Sequence, residues 1–133
     1  IQEAEDIDQS RIMLVALEGS TSERFVKKVL PKTQFIPAKD YDQAVAAVLD
    51  GSADAMVADF PICALTMMRH PDAGFATLSE PLTIEPIGMA LPAGDSLLLN
   101  MVENYFGALE GIGLLDELEQ KWFEDGSWLI QVP

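Results

Sequence analysis

Basic residues are scarce in this chain, and so are the residues that build crosslinks and metal centres. Eight Lys and Arg stand against 22 Asp and Glu among 133 residues, a formal net charge of −14. A surface of that sign repels phosphate, which argues against binding nucleic acid or inserting at an anionic membrane surface. Cys63 is the single cysteine, so no intrachain disulfide and no cysteine metal cluster can form. His70 is the single histidine, with no second imidazole or reactive cysteine pair for nucleophilic chemistry. No apolar run approaches the roughly 18 residues of a membrane-spanning helix. Repeats, low-complexity stretches, metal-ligand spacings, a P-loop, GxSxG and GxGxxG are all missing. The opening IQEAEDIDQS has neither a basic nor an apolar leader region, which fits a processed chain or a piece of a longer one.

What remains is a globular composition. Apolar residues make up 49% and charged residues 23%, enough for one compact domain or a large part of one. The charge is uneven. Residues 1–70 hold seven Lys and Arg against eleven acids, and residues 71–133 hold Lys121 against eleven acids.

Residues 12–17 (IMLVAL) form a short β-branched run suited to a strand buried on both faces. Ser20 and Glu23 then have capping-box spacing, followed by an apolar face of Phe25, Val26, Val29 and Leu30 up to Pro31. Residues 34–36 predict a second strand. Asp40 and Gln43 open a second helix with the stripe Tyr41, Ala44, Val45, Val48 and Leu49, closed at Gly51. Residues 53–58 predict a third strand and residues 62–69 a third helix after Pro61. Residues 75–78 and 87–91 predict further strands, with an extended segment between Pro81 and Pro86. A long helix is expected over residues 96–110, with Leu97, Leu98, Met101, Val102, Tyr105, Phe106 and Leu109 as its buried stripe. Gly111 and Gly113 break it before a last helix carrying Leu114, Leu115, Leu118 and Trp122. The apolar tail, residues 126–133, is expected to pack on something.

This β-α-β-α-β-α-β-β-α-α order implies an α/β fold with a mainly parallel sheet, helices on its faces and C-terminal helices. Ligands of such sheets sit at the C-terminal ends of the strands. Two places qualify. The turn Gly19, Ser20, Thr21, Ser22 offers hydroxyls and N–H groups at a helix N-terminus, which suits a carboxylate or phosphate, or serves only as an N-cap. Asp59, after the third strand, can accept a ligand ammonium or cap the Pro61 helix. Asp54 has the place of a strand-end structural residue. Cys63 and the Met67–Met68 pair read as packing, and Glu117, Glu119, Glu124 and Asp125 as a solvated face.

Eight short pieces also recur in order: Leu17–Glu23, Tyr41–Val45, Asp50–Ala55, Asp59–Pro61, Glu80–Leu82, Ile87–Ala90, Gly111–Gly113 and Lys121–Phe123. Together they resemble the periplasmic solute-binding proteins of family 3, the amino-acid receptors of ABC importers. The resemblance runs from about Ile12 to about Phe123. It implies the type II periplasmic-binding-protein fold: residues 1–83 as the second, three-layer α/β lobe, and residues 84–133 as an antiparallel return strand and C-terminal helices that would pack on a first lobe preceding Ile1.

The same resemblance implies non-catalytic binding of a polar amino acid in the periplasm. Thr21 and the Gly19–Ser22 backbone would hold the α-carboxylate and Asp59 the α-ammonium, without metal or cofactor. The arginine that grips the carboxylate would lie on the first lobe. An importer permease would be the partner of the whole protein. The C-terminal helices of this chain alone would meet a second copy. Alternatives are a dehydratase-like enzyme, with Asp59 and Glu85 as acid and base, and the sensor lobe of a membrane-bound kinase or lyase.

Overall fold

The computed structural model describes residues 7–78, 81–84 and 88–131. The chain divides into two compact units, Ile1–Leu82 and Thr83–Pro133.

The first unit is a three-stranded parallel sheet with helices. Its elements are β1 (Met13–Leu17), α1 (Thr21–Val29), β2 (Gln34–Ala38), α2 (Tyr41–Leu49), β3 (Ala55–Met56) and α3 (Phe60–Arg69). The strand order is β2-β1-β3, with Leu14 opposite Phe35 and Ala55, and Val15 opposite Ile36 and Met56. The apolar run therefore takes the central position, where Leu14, Val15 and Ala16 are fully buried. Successive side chains of a strand point to opposite faces. Leu14 accordingly packs with Val26 of α1 and with Leu30 at its C-cap, and Val15 with Ala44 of α2. Pro37 is tolerated because β2 is an edge strand, where a missing N–H costs no ladder bond.

Both predicted capping pairs form. Ser20 Oγ accepts from the Glu23 N–H at 3.1 Å, and Asp40 Oδ1 accepts from the Gln43 N–H at 2.7 Å. In each case the third helical residue reaches back one position further than a standard box. Glu23 accepts from the Gly19 N–H, and Gln43 accepts from the Lys39 N–H. Lys27 and the Gly19 N–H, in that order, hold the Glu23 carboxyl below the usual carboxylate range. A depressed folded-state pKa contributes stability that is present above the unfolded value and is lost as pH falls through the folded one. Glu23→Gln should thus flatten the loss of thermal stability between about pH 5 and pH 3, measured as Tm against pH beside the unmodified chain. An identical profile would show that this carboxylate contributes nothing to the acid sensitivity.

Two expected strands are corrected. Residues 75–78 form no strand. With only two paired residues, β3 is a short template for a neighbour, and Leu78 and Leu82 dock on the α1-side core through their side chains instead. Of the proposed strand 87–91, Ile87 lies outside the described residues and residues 88–91 are irregular. The third strand is also shorter than residues 53–58, and Ala53 is instead buried in the α2-side cluster.

The second unit holds α4 (Ser96–Gly111) and α5 (Leu114–Glu119), then a π-helical turn (Gln120–Glu124) and a 3-10 segment (Gly126–Gln131). Asp95 caps α4 by accepting from the Leu98 N–H at 2.9 Å. Gly113, at φ +75°, makes the left-handed turn into α5 that other residues adopt only with strain. The tail folds back locally, with Trp122 and Trp128 meeting edge to face at 5.2 Å.

The buried stripe expected on α4 is not buried. Leu98, Val102 and Leu109 are half-covered, but Leu97 is 79% exposed, and Met101, Tyr105, Leu99 and Phe106 are exposed too. The reason is the width of the apolar arc, about 200° at 100° per residue, against the roughly 100° stripe that one packed neighbour covers. Helix α5 packs against α4 but is only six residues long.

Candidate functional site

All three strands of the first unit run parallel, and each is followed by a helix. The starts of α1, α2 and α3 therefore gather at the C-terminal edge of the sheet, and both predicted clusters lie there. Val15 pairs with Met56, so the Gly19–Ser22 turn and Asp59 leave adjacent strands on the same edge.

The turn sorts its four residues by what they already do. Gly19, at φ +78°, takes the left-handed conformation that redirects the chain into α1. Its N–H is engaged by Glu23. The Ser20 hydroxyl accepts the capping bond and donates to the Leu17 carbonyl at 2.7 Å, while the Ser20 N–H also goes to Leu17. Gly19 and Ser20 are thus committed to the turn itself. Thr21 and Ser22 occupy the first two helical positions, whose N–H groups belong to the orphan set of a helix start. Thr21 is exposed. Thr21 and Ser22 are therefore the turn residues that the capping bonds leave uncommitted.

Asp59 precedes α3 in extended conformation and is exposed. Its side chain makes no cap hydrogen bond; its carbonyl accepts from the Ile62 and Cys63 N–H groups instead. Of the two roles open at the sequence level, the side-chain cap is thus not taken up. The Asp59 charge is felt by two neighbours. The Tyr41 phenol is pushed up by burial and then by Asp59. The Cys63 thiol is pushed up by burial, against a contact to the Ala58 carbonyl at 3.7 Å, with Asp59 adding a further rise. Tyr41 had shown only as part of a helical stripe. Its place at the first position of α2, on the same edge, is what brings it beside Asp59.

The other chemistry-bearing residues fall elsewhere. Asp54 Oδ2 accepts from the Met13 N–H at 2.7 Å, and the Asp54 N–H donates to the Met13 carbonyl at 2.8 Å, which pins the start of β3 to β1. His70 ends α3 and lies edge-on to Phe75 at 6.1 Å. Glu85 lies outside the described residues. A cavity of about 260 Å³ opens beside α2, among Val15, Ile36, Pro37 and Ala47, and includes neither Thr21 nor Asp59. Among the described residues, no group of three or more His, Cys, Asp or Glu is placed to hold a metal ion, and no helix is long and apolar enough to cross a membrane.

One edge of the parallel sheet thus carries a helix N-terminus and a carboxylate that caps nothing, and known proteins share sequence and fold with this chain. The ABC transporter glutamine-binding protein GlnH of Bacillus subtilis is 27% identical over 112 residues, covering 84% of this chain and 40% of that protein. Cyclohexadienyl dehydratase of Pseudomonas aeruginosa is 26% identical over 123 residues, covering 92% of this chain and 46% of the enzyme. Among solved structures, a protein from Wolinella succinogenes, described as an ABC-transporter binding component and complexed with lysine, superposes with a TM-score of 0.83. It is 29% identical and covers 97% of this chain and 55% of that one. No protein-family model matches the chain. The chain is homologous to the amino-acid-binding proteins of ABC transporters and has their type II periplasmic-binding-protein fold. It spans about half the length of these relatives, and enzymes as well as binding proteins occur among them.

Proposed function

We propose that the first unit contributes one side of a binding site for a polar amino acid, without catalysing a reaction. Asp59 takes the α-ammonium, and Thr21 with the Ser22 N–H takes the α-carboxylate at the start of α1. The observation that carries this reading is the Asp59 carboxylate: it stands at the C-terminal edge and is not spent on capping α3. A helix N-terminus holds about half a positive charge, which suits the ligand carboxylate. The polar amino acids named for the relatives, glutamine and lysine, support the ligand class.

Titration calorimetry of the chain with individual amino acids tests the proposal. Heat that saturates with at least one polar amino acid, and is weakened in Thr21→Val, is the expected result. Saturable binding unaffected by Thr21→Val would remove the carboxylate assignment. A second reading, favoured by the dehydratase relative, is catalysis on the same scaffold. Turnover of a cyclohexadienyl acid by the chain would establish it.

The same reading puts the protein in the periplasm with an importer permease as partner of the whole receptor. For this chain alone it proposes a second copy against the exposed face of α4. Sedimentation velocity should then show a species heavier than the 14.5 kDa monomer, dispersed by Met101→Asp with Tyr105→Asp. A single monomeric boundary at all concentrations would reject that association.

A further inference from the structure

Exposed large apolar side chains are few in the first unit, and they are unevenly placed. Among its described residues they are Val29, Leu49 and Phe60. Val29 and Leu49 end α1 and α2, at the edge of the sheet away from the site. Phe60 alone stands at the C-terminal edge, with 58% of its surface exposed. It is the first residue of α3 and directly follows Asp59. Pro61 follows it in the first turn of α3, where its missing N–H costs no helical bond. Other positions at this edge are polar or charged: Glu18, Thr21, Ser22, Lys39 and Asp42.

We propose that Phe60 is a specificity-determining residue, whose exposed ring is the apolar wall for the aliphatic stem of a long polar amino acid anchored on Asp59. The inference rests on the Asp59 reading above and names the ligand class more narrowly. Side chains with two or more methylenes before the polar end, as in glutamine and lysine, cover the ring; alanine does not reach it. Tyr41 is half-buried, so the exposed Phe60 offers the more accessible aromatic surface at this edge.

The test is titration calorimetry of the full chain with L-lysine, L-glutamine and L-alanine, comparing the unmodified protein with Phe60→Ala, Phe60→Leu and Asp59→Asn. Phe60→Ala should weaken lysine and glutamine by roughly tenfold, the cost of leaving one to two methylenes in water, and leave alanine unchanged. Phe60→Leu should recover most of the loss. Unchanged lysine-to-alanine and glutamine-to-alanine ratios in Phe60→Ala overturn the inference, as does an equal loss for all three ligands that leucine does not rescue. A ratio change in Phe60→Ala with no effect of Asp59→Asn overturns the ammonium assignment and leaves Phe60 as the wall. No binding of any of the three by the unmodified chain overturns both. Far-UV circular dichroism of each variant reports whether the helices persist; an exposed position should leave them intact.

Discussion

Asp59→Asn is expected to weaken amino-acid binding by roughly 30- to 4,000-fold, the range for truncating one partner of a desolvated charge pair. The size follows from the bound state, in which the ligand ammonium gives up water for this carboxylate and an amide cannot replace the charge. The fold should hardly notice. The side chain caps nothing, and an exposed substitution of this kind changes stability by no more than about 0.5 kcal/mol.

An internal check comes with the variant. Asp59 raises the Tyr41 and Cys63 pKa values, so removing its charge moves both down. Cys63 should then alkylate faster at a fixed pH near 8, because more of it is thiolate. Unchanged affinity together with faster alkylation would mean that the charge was removed from where the structure places it and that the ligand does not use it. Burial, the larger cause at Cys63, persists in the variant, so the thiol remains less reactive than an exposed one.

Leu14→Ala has the largest expected effect on stability, about 2–5 kcal/mol. Leu14 is fully buried at the centre of the sheet, packed with Val26 and Leu30 on the α1 side. Few residues share that core, so neighbours cannot collapse into the vacated space without dragging a strand. A domain of this size is stable by about 5–15 kcal/mol, so the loss is a large fraction of the total. Urea unfolding followed by far-UV circular dichroism is the suitable measurement, since both tryptophans, Trp122 and Trp128, lie in the other unit and report on it instead. A midpoint within error of the unmodified chain would mean that the α1-side cluster is not the core of the first unit. The same experiment monitored by tryptophan fluorescence tells whether the two units unfold together.

Elements whose signals are local could be read directly from the order of residues. The run at residues 12–17 became the central strand because continuous apolar residues fit only a position covered on both faces. Ser20 with Glu23 and Asp40 with Gln43 set two helix starts, since a cap needs only residues three apart. The edge that carries the candidate residues was legible because strand order alone assigns loops to the C-terminal ends.

Features that depend on partners distant in sequence emerged with the folded chain alone. Residues 75–78 have the composition of a strand, but pairing needs a neighbour of sufficient length, and β3 is two residues long. The apolar residues of α4 have clear helical spacing, yet spacing states which side could be buried and not whether anything covers it. Within the site, the pattern could not divide capping from binding. Both need a polar side chain before a helix, and only hydrogen-bond geometry separates Ser20, whose oxygen is engaged, from Asp59, whose carboxylate makes no cap bond. Tyr41 and Phe60 did not stand out as candidates, because a helical stripe accounts for the first and exposure of the second is decided only by folding.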